Sequence, residues 1–167
     1  MSVFKRSHPP PMIQSNYRKY RPYVREDFCE CCAYCLLHEI VAGGQSNFEL
    51  DHFHPRSKQK DGFDPEDFYN IYYSCHVCNH YKSDSWPGDD LLSAGYRFVD
   101  LCKEDFESHF IHDNSGMWKA LTPAGEYTEA RLRLNRRHLI ELRALLNQIA
   151  VLKGKQIIDW NKQQKNR

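Results

Sequence analysis

The chain lacks any apolar run near the roughly 18 to 20 residues that a bilayer span requires, so no membrane association is expected. Its start, Met1-Ser2-Val3-Phe4-Lys5-Arg6-Ser7-His8-Pro9, lacks the apolar core of a signal peptide, which leads to the expectation of a cytoplasmic protein. It also lacks an even complement of cysteines. Seven of them, spaced as CxxC and placed in a reducing compartment, read as metal ligands before they read as disulfides. A strong net charge is missing too, at +1 overall, and no internal repeat is evident.

The small net charge conceals an uneven distribution. Residues 1–25 carry Lys5, Arg6, Arg18, Lys19, Arg21 and Arg25 with no acid, and residues 131–167 carry ten basic residues against Glu141 and Asp159. The stretch between them is therefore strongly acidic. Basic ends could embrace a phosphate backbone, or could simply neutralise the acidic middle within the fold. Aromatic residues at 13% and charged residues at 27% are those of a chain that folds. At 167 residues one domain is expected over 17–167, preceded by an extended, basic, proline-rich arm over 1–16 that contains Pro9-Pro10-Pro11.

The pattern predicts an α+β fold. A short helix should follow Pro22, since proline suits a first helical turn. Asn47-Phe48-Glu49-Leu50-Asp51 and Asn70-Ile71-Tyr72-Tyr73-Ser74 read as strands, and a short helix should open near Asn79 and end by Pro87-Gly88. Phe106 to His112 and Met117 to Leu121, on either side of Asp113-Asn114-Ser115-Gly116, suggest a hairpin. After Gly125 a helix should start near Thr128. Asn135 could cap another, with Leu139, Leu142, Leu146, Ile149 and Leu152 at helical spacing.

Cys32-Ala33-Tyr34-Cys35 and Cys75-His76-Val77-Cys78 each offer two thiolates to one tetrahedral Zn²⁺ at about 2.3 Å. Four ligands close the site, so the zinc would be structural. Cys29 with Cys32 also makes a CxxC, but Cys32 with Cys35 is the preferred pair, leaving Cys29, Cys31 and Cys102 as ordinary cysteines.

Beside this pattern stands a second set of residues. His52, with an ordinary pKa of about 6.5, is mostly neutral at physiological pH and suits a general base that activates water. Asp51 and Asn79 offer hard oxygen ligands for Mg²⁺ or Mn²⁺. Neighbouring strand residues point to opposite faces, so Asp51 and His52 can address a metal and a water separately. Cys78 directly precedes Asn79, so the zinc site would fix the start of the helix that carries this ligand.

Asp51-His52-Phe53-His54-Pro55, Asn70-Ile71 and Cys75-His76-Val77-Cys78-Asn79-His80-Tyr81-Lys82 together resemble the HNH endonuclease family in order and spacing. The nine-residue step from Asn70 to Asn79 is similar to that in the nuclease domain of CRISPR effectors carrying an HNH motif. The resemblance covers about residues 28–84. It implies a ββα-metal (His-Me finger) core stapled by a four-cysteine zinc site; the residue pattern adds helical N- and C-terminal extensions, with the extra hairpin and the C-terminal helices over 96–165. The resemblance also implies a metal-dependent endonuclease: His52 as general base, one catalytic cation on Asp51 and Asn79, Asn70 holding the loop that orients His52, and a 5′-phosphate product. Tyr17-Arg18-Lys19-Tyr20 and Leu132-Arg133-Leu134-Asn135-Arg136-Arg137 resemble flanks of small stand-alone HNH proteins of bacteria and phages.

Lys82, one helical turn beyond Asn79, could contact a phosphate, as could Arg56, Lys58 and Lys60. His54 and His80 read as surface residues or as neighbours of the metal ligands, and His76 as exposed. Double-stranded DNA is the expected partner, although nothing in these residues excludes RNA. Two rival readings are a zinc-stabilised nucleic-acid-binding module without catalysis, and an effector subunit of a defence or mobile-element assembly. The second would wait for a partner such as an ATPase to dock on the apolar C-terminal helix.

Overall fold

A computed structural model describes residues 2–6, 16–58 and 62–152. These residues form two compact units, Phe4–Gly88 and a second that joins residues 2–3 to the chain from Asp89 onward. The fold is mixed α+β with two small antiparallel sheets, one in each unit.

In the N-terminal unit, helix α1 (Arg21–Asp27) has Pro22 in its first turn, as expected. Strands β1 (Phe48–His52) and β2 (Ile71–Cys75) pair antiparallel, with Phe48 opposite Cys75, Asp51 opposite Tyr72 and His52 opposite Ile71. β2 is buried along its whole length because its aromatic residues are covered on both faces. Tyr72 meets Phe28 and Phe53 with ring centres 5.1 and 4.6 Å away, while Tyr73 stacks on Phe48 at 4.7 Å. Each fully buried ring of this kind contributes about 1.5–3 kcal/mol.

Helix α2 (His76–Lys82) follows β2 without a loop, starting three residues before the expected Asn79. Extended Cys75 turns directly into the helix, so the second CxxC straddles the junction. The helix stops at Ser83, whose φ of 47° is left-handed and whose N–H returns to Asn79 O, ahead of Pro87-Gly88.

The arm expected over 1–16 differs at its start. Phe4 is 1% exposed and lies 4.8 Å from the Phe28 ring. Arg6 donates to Asp27 (3.0 Å), Ile71 O (3.1 Å) and Phe68 O (2.7 Å), its guanidinium 4.5 Å over the Phe68 ring. A phenyl ring and a planar cation that fit an aromatic pocket are packed here, whatever their basic neighbours suggest. Pro9-Pro10-Pro11 lie outside the described residues.

The C-terminal unit starts with α3 (Asp89–Ser93) and carries the expected hairpin, β3 (Phe110–His112) with β4 (Trp118–Ala120). Helix α4 (Pro123–Leu132) begins before Thr128, because Thr122 caps it and Pro123 opens it. Gly125 is thus inside the helix, where a Cβ would come within 2.6 Å of His109 O. Asn135 does not cap the last helix, α5 (Arg137–Leu152). Its side chain instead accepts from Trp118 N–H (2.9 Å) and donates to Trp118 O (2.7 Å), making an extra rung beside the hairpin. Along α5, Leu139 and Ala150 are buried and Ile149 is exposed.

Candidate functional site

The first CxxC is held in place by its backbone. Cys32 N–H bonds to Leu37 O (2.9 Å) and Leu36 N–H to Cys32 O (3.0 Å), closing a tight turn with Leu36 at φ 62°. A branched residue in that region costs on the order of 1–3 kcal/mol and persists only where the surroundings fix it. Ala33 N–H bonds to Tyr73 O (2.8 Å), which hangs the turn on β2. Cys32, Cys35, Cys75 and Cys78 are brought together by this arrangement. Their sulfurs all lie within 4.8 Å of one another, and all four residues are buried.

Cys35 Sγ and Cys75 Sγ are 3.8 Å apart. That equals the edge of a tetrahedron with metal–sulfur arms of about 2.3 Å, so the donors fit a four-thiolate ion. Burial raises the Cys32 thiol, but hydrogen bonds from Cys35, Cys75 and Cys78 outweigh it and hold Cys32 well below the ordinary thiol range. A cluster that already favours one thiolate suits a dication. The four cysteines could therefore hold a metal such as zinc, and Cys35 rather than Cys29 stands with Cys32 in it. Cys31, outside the cluster, donates to Cys29 O, and burial pushes its thiol up.

Asp51 and Lys82 meet at the next level of the site. Lys82 Nζ lies 3.2 and 3.1 Å from the two Asp51 oxygens and donates to His52 O at 2.7 Å, and Lys82 is fully buried. Tyr34, between the two cysteines of the first CxxC, donates its hydroxyl to Asp51 Oδ2. Burial pushes Asp51 up and Lys82 down, against the attraction between them. Lys82 is thus corrected as a phosphate contact: α2 packs over the Glu49 and Asp51 face of β1, and a lysine one turn beyond Asn79 points into that contact.

His52 lies on the other face of β1. Its ring meets Tyr17 edge-on at 4.7 Å, and its Nε2 accepts from Arg56 Nε at 3.1 Å. Burial, then Arg56 and Lys82, push its pKa down to about 4, so the imidazole is neutral at physiological pH. Arg56 also pairs with Glu66 and lies 4.9 Å over the Tyr17 ring, while Lys58 is exposed on the same short turn. Lys60 lies outside the described residues.

Asn70, immediately before β2, grips the loop after His52. Its Oδ1 accepts from His54 N–H (2.8 Å), and its Nδ2 donates to His54 O (3.1 Å) and Pro65 O (2.8 Å). Asn79 turns elsewhere, its amide donating to Glu49 Oε2, while His76 Nδ1 lies 2.9 Å from Glu49 Oε1.

The chemistry of Asp51 and Asn79 suits a hard cation, but their surroundings do not present an open ligand pair. Asp51 is 5% exposed, with an ammonium on both oxygens and a phenol on one. Sequence reasoning missed Tyr34 and Glu49. Strand alternation carries a signal for Glu49, since it shares the face of Asp51; nothing in the sequence signals Tyr34 beyond its place between two cysteines.

No family model and no curated protein matches this chain.

Proposed function

We propose that the N-terminal unit is an HNH-type, metal-dependent endonuclease that hydrolyses nucleic-acid phosphodiesters, DNA first among them, with His52 as general base. The observation that most supports this reading is the fixing of the backbone on both sides of His52. Asn70 holds both backbone groups of His54, and Lys82 holds His52 O. A base works best when its position is set before substrate arrives.

At pH 7 the imidazole is neutral, and Arg56, which occupies its accepting nitrogen, adds to the burial that lowers its basicity. A scissile phosphate beside Arg56 draws the guanidinium away and frees Nε2 to take a proton from the attacking water. A divalent cation, when bound, would supply compensation for charge building on the leaving oxygen. In the family pattern its ligands are Asp51 and Asn79, which here meet Lys82, Tyr34 and Glu49.

That engagement favours a second reading, a zinc-stabilised nucleic-acid-binding module without catalysis. One experiment decides between them: incubate the purified chain with plasmid DNA, and separately with RNA, under Mg²⁺, Mn²⁺ or EDTA. The nuclease reading expects metal-dependent cleavage that His52→Ala lowers by a factor on the order of 100 or more, with bound zinc and DNA affinity retained. Cleavage that survives His52→Ala overturns the assignment of the base. Binding without cleavage under every metal favours the module.

A further inference from the structure

We propose that Glu49, His76 and Asn79 form a binding site for a first-row divalent transition ion, distinct from the four-thiol cluster and from Asp51. The three residues converge from two elements. Glu49 sits on the face of β1 that α2 covers, and His76 and Asn79 lie one turn apart on α2. The two α2 residues each directly follow a cysteine of the cluster, Cys75 or Cys78, so whatever fixes those cysteines also fixes these donors.

The distances fit a chelate. His76 Nδ1 and Glu49 Oε1 are 2.9 Å apart, close to the roughly 3.0 Å that separates neighbouring donors of an octahedral ion with bonds of about 2.1 Å. The Asn79 amide rests on the other oxygen of the same carboxylate, and rotating it by half a turn presents its oxygen in place of its nitrogen. The imidazole proton moves to Nε2, which leaves Nδ1 free to coordinate without a net change in protonation. Glu49 and His76 are 41% and 66% exposed at their side chains, so an ion can reach them and water can fill its other positions. His80 continues the ring stack, its centroid 6.4 Å from that of His76.

Asp51, two residues along the same strand face, offers no such opening. The imidazole beside one carboxylate and one amide favours first-row ions over Mg²⁺ and Ca²⁺, least for Mn²⁺ and more toward Zn²⁺. The proposal does not rest on cleavage, although Asn79 is common to this site and to the expected catalytic pair.

The test titrates full-length protein carrying one Zn²⁺ per chain with Mn²⁺ in the absence of nucleic acid, reading free Mn²⁺ by electron paramagnetic resonance. One Mn²⁺ per chain is expected. Glu49→Gln and His76→Gln should each weaken it by at least about tenfold, since even outer-shell partners of a metal cost that much. Glu141→Gln, a change at the exposed pair with Arg137, should bind as the wild type does. No bound Mn²⁺, or binding unchanged in Glu49→Gln and His76→Gln, overturns the proposal. So does binding lost in Asp51→Asn with Lys82→Met but kept in Glu49→Gln, which would put the ion on Asp51. Cleavage assays on the same proteins report the nuclease reading separately.

Discussion

The two units have interiors of different kinds. Phe4–Gly88 encloses four thiols, an Asp51–Lys82 pair, an Arg6–Asp27 pair and a Glu39 carboxylate shared by Arg25 and Tyr73. The unit from Asp89 onward is built mainly on Phe106, Phe110, Trp118, Leu132, Leu134 and Leu139, with Arg143 lying 3.6 Å over the Trp118 ring and a smaller polar set, Asp100, His109 and Thr128, buried beside them. An apolar interior depends on little except temperature and solvent. A polar one is stable only while every charge keeps its partner and every thiolate its ion. The chemistry of the candidate site and the vulnerability of its unit thus come from the same residues.

The largest expected effect is on the thiol cluster. Cys78→Ser, or chelation of the metal, should remove a site of the kind that contributes about 10–16 kcal/mol of apparent binding energy. Amide resonances of Phe4–Gly88 should then collapse while those around Trp118 and Leu139 persist. Simultaneous loss of both sets would show that the two interiors do not stand independently.

Next comes Asp51→Asn alone, which strands a buried ammonium and should cost about 3–5 kcal/mol in urea unfolding. Pairing it with Lys82→Met should restore most of that loss, and failure to do so would show that Asp51 is held for another reason. In the other unit, Leu139→Ala should cost about 2–5 kcal/mol, and that cost should not depend on metal.

The smallest effect concerns pH. Burial raises Glu104, but Arg97, donating at 2.7 and 2.6 Å, overrides it and brings the carboxyl down to about 2. A carboxyl with a lower pKa in the folded state stabilises above its ordinary value near 4.5 and loses that contribution as pH falls toward 2. Arg97→Ala should flatten the stability of the C-terminal unit across this window.

Much of the site is legible in the sequence because it is local. CxxC spacing selects Cys32, Cys35, Cys75 and Cys78, and aromatic runs bounded by polar turns mark β1 and β2 to within a residue. What escapes is set by tertiary contact. Lys82 reads as a surface cation until α2 is laid on β1, and Asn135 reads as a cap until the hairpin arrives beside it. Tyr34 gives no pattern, because its partner is seventeen residues away on another element. The division into two units is equally hidden, since no proline- or glycine-rich linker marks Gly88 and Asp89 beyond Pro87 itself.

Cys35 and Cys75 stand forty positions apart in the chain yet touch in the fold. Closing a loop of that length costs on the order of 3 kcal/mol of chain entropy before any strand pairs. An ion captured early by the two CxxC turns would meet that cost at the outset, and β1 and Asn70 would then find their partners within a closed ring. Folding of this unit should therefore speed up with metal concentration, which would make metal supply a kinetic control on how quickly His52 reaches its place.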